Sequence, residues 1–345
     1  MAYTTINKST DHFNTKLYTG NASTQAITGV GFQPDWLWIK NRSTTNAHNI
    51  FDAVRGTNKK LDSAETTAEN ASATNLTSFD SDGFTLASNA GTNGSGNNIA
   101  SWNWKAGGGQ GSSNTDGSIN TTYTSANTTA GFSISTYTGT GSNATFGHGL
   151  GAAPEMVIVK CLNDAQNWFI YHQGIGATKV IYLDLNNAQQ TLSQGWNNTA
   201  PTSSVVSIGT EAGVNQNGNL YVAYCFKEKT GYSKFGSYTG NGSSSSPTFI
   251  YTGFKPKFVI VKCTNEADEW FMHDDKRDGY NDDNEYLFAS VTNVEGTNTN
   301  RIRLLSNGFS VPTTDKSHNK SGNSYIYMAF GQSIVGTNNI PATAR

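Results

Sequence analysis

Three sequence elements occur three times in the same order along this chain of 345 residues. Such internal repetition decides the architecture before any other signal. Each occurrence opens on Tyr–Thr–Gly, at Tyr18, Tyr137 and Tyr238, and leads through a proline to a short apolar run closed by lysine. These runs span 34–40, 154–160 and 256–262. Their four consecutive apolar residues predict a strand that is buried on both faces, because each run is far shorter than an ordinary helix.

Two further elements follow each run. The second begins 14 residues after the proline, as Trp168–Phe169–Ile170 and Trp270–Phe271–Met272; the first occurrence has His48–Asn49–Ile50 there. The third is a Gly–Asn turn before an aromatic-rich strand, at 96–104, 218–226 and 322–330. Asp82–Gly83 and Asn307–Gly308 are tight-turn signals between strands. The sequence therefore predicts an all-β fold with three tandem antiparallel β-sandwiches of the jelly-roll type.

The spacing also predicts how the chain is divided. We expect an N-terminal arm at 1–14, a first sandwich at 15–106, a Gly/Ser/Asn/Thr-rich linker at 107–130, a second sandwich at 131–229, a third at 230–335 and a tail at 336–345. Each copy is long enough to bury a core of its own, which favours beads over the thin layers of a solenoid. The linker predicts that copy one is set apart from a closer pair formed by copies two and three.

Charge and hydropathy exclude several classes of protein. Charged residues make up only 14% of the chain and the formal net charge is −2, so no basic surface for nucleic acid is expected. The chain contains no run of 18 apolar residues, so no membrane-spanning segment is expected. The first residues lack the basic start and apolar stretch of a signal peptide, so we expect a chain that leaves its cell by another route or stays inside.

The residues that carry chemistry in enzymes form no recognisable catalytic motif, and no catalytic residue is predicted. Cys161 and Cys263 occupy equivalent positions, and Cys225 makes the count odd, so small buried residues are expected rather than disulfides. The six histidines show no spacing that would join two or three of them on a metal. A hydrolase acting on surface polysaccharide is the weakest hypothesis, because it needs paired carboxylates in a cleft.

One acidic loop could bind a cation. Carboxylates cluster around a glycine in copy three and suit Ca²⁺, although their order does not match an EF-hand. The candidate ligands are Asp274, Asp275, Asp278, Asp282 and Asp283. Copies one and two lack this cluster, so the alternative is a solvated acidic loop. No other cofactor is expected.

The seven tryptophans and their neighbouring tyrosines raise the hypothesis of carbohydrate binding, because aromatic rings stack on sugar faces. Most of these aromatic residues lie inside the repeated strands and are expected in the core. Trp196 lies outside the shared pattern, between Gly195 and Asn197, and is the best candidate for an exposed binding residue.

The repeated pattern resembles modules of virion proteins from tailed bacteriophages, especially tail-fibre-like and structural proteins of marine phages. The residues that carry this resemblance are the Tyr–Thr–Gly opener, the Gly–Phe–x–Pro approach at 31–34 and 253–256, the strand that ends in lysine and the closing aromatic strand. Copy two departs from it with Gly151–Ala152–Ala153–Pro154. The resemblance covers nearly the whole chain and implies no catalytic residues.

The resemblance implies a non-enzymatic component on the exterior of a virion, either a tail fibre or adhesin that mediates host attachment or a decoration protein. Its partners would be other virion proteins and host surface glycans, and avidity would multiply weak contacts. A homo-oligomer is expected, with a trimer favoured. The alternative is a lectin-like protein that recognises carbohydrate.

Overall fold

The structure is a computed structural model and describes residues 4–277, 281, 285–297 and 300–333. The regular secondary structure of the described chain consists of antiparallel strands and a few single-turn helices, so the predicted all-β class is confirmed. Each copy pairs one larger sheet, here called the inner sheet, with a smaller outer sheet. A short 3₁₀ turn at Ser9–Asp11 precedes copy one.

Copy one has an inner sheet in the order β1-β9-β3-β4-β5-β6 and an outer sheet in the order β2-β8-β7. Its elements are β1 (Phe13–Thr19), β2 (Gln25–Thr28), β3 (Trp36–Asn41), β4 (Asn49–Asp52), β5 (Gly56–Leu61), β6 (Asn70–Ala71), β7 (Leu76–Asp80), β8 (Gly83–Leu86), α1 (Ala90–Asn93) and β9 (Asn98–Trp104). The predicted Asp82–Gly83 turn is confirmed, since Asp80 pairs with Gly83 across it.

Copy two has the inner order β10-β11-β18-β13-β14-β15-β16 and a two-stranded outer sheet, β12-β17. Its elements are β10 (Tyr123–Asn127), β11 (Phe132–Thr138), β12 (Ala144–Gly147), β13 (Met156–Cys161), β14 (Phe169–His172), β15 (Lys179–Tyr182), β16 (Gln190–Thr191), α2 (Ser193–Trp196), β17 (Val205–Ile208), α3 (Ala212–Asn215) and β18 (Leu220–Phe226).

Copy three has the inner order β19-β26-β21-β22-β23 and the outer order β20-β25-β24. Its elements are β19 (Ser233–Thr239), β20 (Thr248–Tyr251), β21 (Phe254–Cys263), β22 (Phe271–Asp274), β23 (Leu287–Phe288), β24 (Arg303–Leu305), β25 (Gly308–Val311) and β26 (Ser324–Ser333). In all three copies the predicted lysine-closed strand, second element and closing strand are present, as β3, β4 and β9 and their counterparts.

The lysine-closed strands lie in the middle of each inner sheet and are buried on both faces, as predicted. Alternate residues of a strand point to opposite faces. In copy one Leu37 and Ile39 pack beneath the outer sheet, whereas Trp36 and Trp38 point the other way. The second apolar face therefore needs a cover that the sandwich itself does not supply.

That cover comes from the other two copies. One continuous hydrophobic cluster contains Trp36 and Trp104 of copy one, Tyr224 and Phe226 of copy two, and Phe330 of copy three. Trp36 stacks on Tyr224 with ring centroids 4.9 Å apart, and the Phe226 and Phe330 rings lie 6.1 Å apart. Sequence spacing favours self-contained beads, but in the structure the three inner sheets share one core. Only the smaller cores beneath the outer sheets belong to single copies.

Main-chain hydrogen bonds join the copies in a closed cycle. The Glu69 amide of copy one donates to Leu162 O of copy two at 2.8 Å, and the Gln189 amide of copy two donates to Thr264 O of copy three at 2.8 Å. The Glu295 amide of copy three donates to Arg42 O of copy one at 3.1 Å. Arg42, Leu162 and Thr264 hold the same position in the repeat. Copy one is therefore joined to its neighbours in the same way as the other two.

The lysines that end the central strands reinforce this cycle. Each Nζ donates to a carbonyl of the preceding copy in the cycle: Lys40 to Thr292 at 3.0 Å, Lys160 to Thr66 at 2.9 Å and Lys262 to Asn186 at 2.9 Å. All three lysines are buried, and burial lowers the pKa of each to about 8. They therefore remain cationic at neutral pH and act as donors that bind copies together.

A buried asparagine closes the outer end of each copy, and sequence reasoning missed it. Asn93, Asn215 and Asn319 are fully buried. Each carboxamide nitrogen donates to two main-chain carbonyls, which for Asn215 are Ser142 O at 2.6 Å and Gly209 O at 2.7 Å. The signal was present, because each asparagine lies three residues before the Gly–Asn turn.

The segment 107–130, predicted as a linker, is ordered by both copies that it joins. Near its start Gly108 and Gly109 donate main-chain N–H groups to the Asp35 carboxylate, at 3.0 and 2.9 Å. Farther on it forms β10, which pairs with β11, and Ile119 forms a parallel bridge to Phe146 of β12. These two glycines therefore bind a carboxylate through their main-chain N–H groups and do not act as a flexible linker.

Candidate functional site

Trp196, the predicted exposed binding residue, is buried. Only 1% of the residue is exposed, and its ring meets Tyr171 edge to face at 6.0 Å in the core beneath the outer sheet of copy two. Its predicted exposure was wrong because α2 turns the residue inward, although its polar neighbours in sequence suggested a surface loop. The indole therefore cannot stack on a ligand at the surface.

The predicted Ca²⁺ ligands do not form one group in the part of the chain described. Asp278, Asp282 and Asp283 lie outside the described residues. Asp274 is fully buried, and its carboxylate accepts hydrogen bonds from Arg277 Nε at 2.5 Å and Trp102 Nε1 at 3.0 Å. Asp275 is half-buried beside it. Among the described residues no cluster of three or more metal-ligating side chains is found. Asp274 is thus committed to protein donors rather than to a cation.

Asp274 belongs to a buried ion pair that recurs in copy one. Burial by itself raises the pKa of Asp274, but the Arg277 guanidinium and the hydrogen bonds to the carboxylate outweigh it and hold that pKa below its ordinary value. In copy one Asp52 accepts from Arg55 Nε at 2.5 Å and from the Tyr224 hydroxyl of copy two at 2.8 Å. Both pairs thus receive a donor from the adjacent copy, and both carboxylates serve the contact between copies.

The described histidines that lie in the core are also held by local donors and acceptors. His172 Nε2 faces Tyr327 O at 3.2 Å, while its Nδ1 accepts from the Gly174 amide at 3.0 Å. His273 and His318 approach each other through their Nε2 atoms at 3.1 Å. Burial lowers the pKa of His172 to about 4 and of His273 to about 3, and that of His318 also falls. These rings therefore stay neutral in the folded protein.

We expect the protein to lose stability between pH 6.5 and 4, because four buried histidines outnumber the two buried carboxyls, Asp62 and Asp184, whose pKa burial raises to about 6 and whose protonation in the fold offsets part of the loss. His48, His172, His273 and His318 have lowered pKa values in the fold, so below about pH 6.5 the unfolded chain binds protons that the native state refuses. Each histidine can contribute up to about 1.4 kcal/mol per pH unit. Urea unfolding at pH 7, 6 and 5 measures the effect, and equal free energies at pH 7 and 5 would contradict it.

A groove runs between copies one and two and has a volume of about 500 Å³. Val54, Lys59 and Glu69 line it from copy one, and Tyr123 and Leu220 line it from copy two. This volume lies in the range of small-ligand sites, and the mixture of apolar and hydrogen-bonding groups is typical of them. The groove is therefore a candidate site for a small ligand.

A difference between the repeats explains why this groove is open. Between copies three and one the guanidinium of Arg42 binds Glu295 and Glu285, with its Nη2 2.6 and 2.7 Å from their carboxylates. At the corresponding place between copies one and two, the residue equivalent to Arg42 is Leu162, which leaves Glu69 with Arg55 and the more distant Lys59 Nζ at 3.8 Å. Leu162 and Leu220 thus add apolar surface where the other copies carry polar side chains.

Two exposed aromatic residues lie elsewhere, on β20 of copy three. Phe249 is 47% exposed and Tyr251 is 55% exposed. They flank the buried Ile250 and so share the outer face of the outer sheet. Copy one carries Ala26 and Thr28 at these positions, and copy two carries Thr145 and Gly147. Sequence reasoning missed this pair, although comparing the copies strand by strand would have found it.

No helix among the described residues is long and apolar enough to span a bilayer. A family model described as a domain of unknown function, DUF7483, matches residues 8–333. The match begins before copy one and ends in the last strand of copy three, so one family model covers all three copies. No curated protein matches the sequence.

Proposed function

We propose that this chain, which belongs to the DUF7483 family of unknown function, is a non-enzymatic structural component of a bacteriophage virion that mediates attachment from the particle exterior. The observation that carries the proposal is the interlocked ring of three copies with one core. Such a body offers a rigid platform with separate faces. One face can dock on a particle while another meets the host.

Two further observations support a role without catalysis. The buried carboxylates Asp52 and Asp274 are neutralised by Arg55 and Arg277, and the buried lysines bind carbonyls between copies. Acidic, basic and aromatic side chains in the interior thus stabilise contacts between repeats. The resemblance to tail-fibre-like proteins adds the expectation of an exterior location, with a tail fibre or adhesin and a decoration protein as the two forms of that role.

The attachment role is tested on purified particles of the phage that encodes the chain. We expect the chain to sediment with intact particles and to be labelled by antibody without disruption of the particle. Antibody bound to the chain should block adsorption of the particle to host cells. Recombinant protein should also compete with particles for host cells. A chain that is absent from purified particles, or accessible only after they are opened, would overturn the proposal.

A lectin-like function is the second candidate, and the groove between copies one and two favours it. Tyr123 and the two leucines offer apolar surface for a sugar face, and Lys59 and Glu69 offer a donor and an acceptor for hydroxyl groups. The ligand would be an oligosaccharide of the host envelope. If the groove binds such a sugar, sugar recognition would be the means by which the protein attaches the particle to its host.

Glycan arrays and calorimetry with host polysaccharide test the groove. We expect Tyr123→Ala to weaken binding at least tenfold, because it removes the ring that stacks on the sugar. Tyr251→Ala is the matched control, since that tyrosine is exposed outside the groove, and it should bind like the wild type. No binding to any glycan, or equal loss in both variants, would count against a sugar site in the groove.

A further inference from the structure

The outer sheet of copy three ends in a strand whose free edge is open. In the order β20-β25-β24, strand β20 bonds only to β25. Main-chain groups of an antiparallel pair alternate between inward and outward directions. The Thr252 amide donates to Asn307 O at 3.1 Å, so the main-chain groups of Thr252 face β25. By the alternation along the strand, those of Ile250 also face β25, whereas the N–H and C=O groups of Phe249 and Tyr251 point away from it, to the free edge. Within the described residues nothing bonds to these outward groups.

The equivalent edge of copy two is covered by the chain itself. The Ile119 amide donates to Thr145 O at 2.9 Å, and Thr145 N donates to Ser118 Oγ at 2.9 Å. Thr145 occupies the position of Phe249, so the edge that is free in copy three is covered in copy two by residues 117–119, which make an isolated parallel bridge at Ile119. A Cβ on Gly117 would lie 2.5 Å from Thr145 O, so the covering segment needs a glycine there.

Among the residues that the structure describes, copy three has no segment of this kind. Copy two is preceded by the long 107–130 stretch, whereas only a few residues after Glu228 join copy two to β19. The four residues of β20, Thr248 to Tyr251, carry no charge and no proline, which are two of the usual protections of an edge strand; Pro247 directly precedes the strand. Two half-exposed aromatic rings stand beside this edge. Uncovered, it is a template for strand addition.

We propose that β20 binds an extended segment of another protein by strand addition, as residues 117–119 cover β12 in copy two. The segment is uncharged where it pairs, has glycine at the position of Gly117, and places apolar side chains over Phe249 and Tyr251. A second copy of this chain is a poorer occupant, because pairing two four-residue edges buries much less than a stable dimer needs. The inference is independent of the proposed virion role.

Two synthetic peptides provide the probe. The first has the sequence of residues 114–121; the second is the same peptide with Asn120→Leu, a position beside Ile119 on the side of the aromatic rings, and it keeps Ser118 as the acceptor for the Phe249 amide. Binding to the full chain is measured by calorimetry, and amide shifts by NMR locate it. We expect the leucine peptide to bind at least tenfold more tightly than the first and to shift the amides of Thr248–Tyr251.

Variants of the protein distinguish the contribution of the main-chain hydrogen bonds at the β20 edge from that of the aromatic side chains. Phe249→Pro removes an outward N–H and should weaken the leucine peptide at least tenfold, whereas Phe249→Ala keeps that N–H and should weaken it only a few-fold. A leucine peptide N-methylated at Ile119 should lose binding to the wild type, a test that requires no change in the protein. Failure of the leucine peptide to bind, or indifference to N-methylation, would overturn the proposal. A dimer that Phe249→Pro dissociates would assign the edge to a second copy instead.

Discussion

Replacing Trp36 with alanine will lower the free energy of unfolding by about 3–5 kcal/mol, the usual cost of removing a large aromatic side chain from a core. The loss will appear in one transition that involves all three copies. Trp36 is fully buried and its ring packs against Trp104 of its own copy and against Tyr224 and Phe226 of copy two. Its cavity therefore opens in the core shared by the copies.

The measurement is urea unfolding followed by circular dichroism and by tryptophan fluorescence. Coincident transitions from the two probes are expected for the wild type and for Trp36→Ala. Leu220→Ala is the control, because Leu220 is 46% exposed and its truncation should change stability by less than about 0.5 kcal/mol. A variant in which one third of the signal unfolds early while the remainder keeps wild-type stability would show that the copies are independent beads.

Truncating Asp274 to alanine will be about as damaging, with an expected loss of about 3–5 kcal/mol, because the change leaves the Arg277 guanidinium buried without its carboxylate. Neither side chain of this pair has measurable exposure. The Trp102 indole N–H of copy one loses its acceptor at the same time. The destabilisation should therefore extend to the contact between copies three and one.

Copy two offers the matched control, since it carries His172 and Ile175 where copy three carries Asp274 and Arg277. The double variant Asp274→His with Arg277→Ile removes both charges and should be more stable than Asp274→Ala. Because the folded pKa of Asp274 is lowered, its contribution is present above the unfolded pKa of about 3.9 and is lost as pH falls through the folded value. Equal stability of the single and double variants would contradict the uncompensated charge as the cause.

The strands were predictable because their signals are local. A proline, four apolar residues and a lysine define β3, β13 and β21 wherever they occur, and the Asp82–Gly83 turn depends on neighbouring residues alone. The shared core depends on contacts between residues more than a hundred positions apart. A hint existed, since a strand apolar on both faces, with Trp36 and Trp38 opposite Leu37 and Ile39, requires a cover on each side.

The candidate sites were less predictable for the same physical reason. Trp196 looked exposed because its neighbours are polar, yet one turn of α2 buries it. Asp274 looked like a metal ligand because it begins a cluster of carboxylates in the sequence, yet its carboxylate accepts hydrogen bonds from Trp102 and Arg277. The groove and the β20 edge arise where one copy departs from the other two, at Leu162, Leu220, Phe249 and Tyr251. Comparing equivalent positions is thus more informative than residue type.

The cyclic hydrogen bonds from Glu69 to Leu162, from Gln189 to Thr264 and from Glu295 to Arg42 have a consequence for how such a chain can change. A chain with a single copy would need two further identical chains to cover its inner face. Every substitution in that chain would then appear at all three junctions of the assembly. Joining the copies in one polypeptide removes that constraint. One junction can keep an arginine between two glutamates while another replaces it with leucine and opens a groove, so new recognition can arise at one seam without loosening the other two.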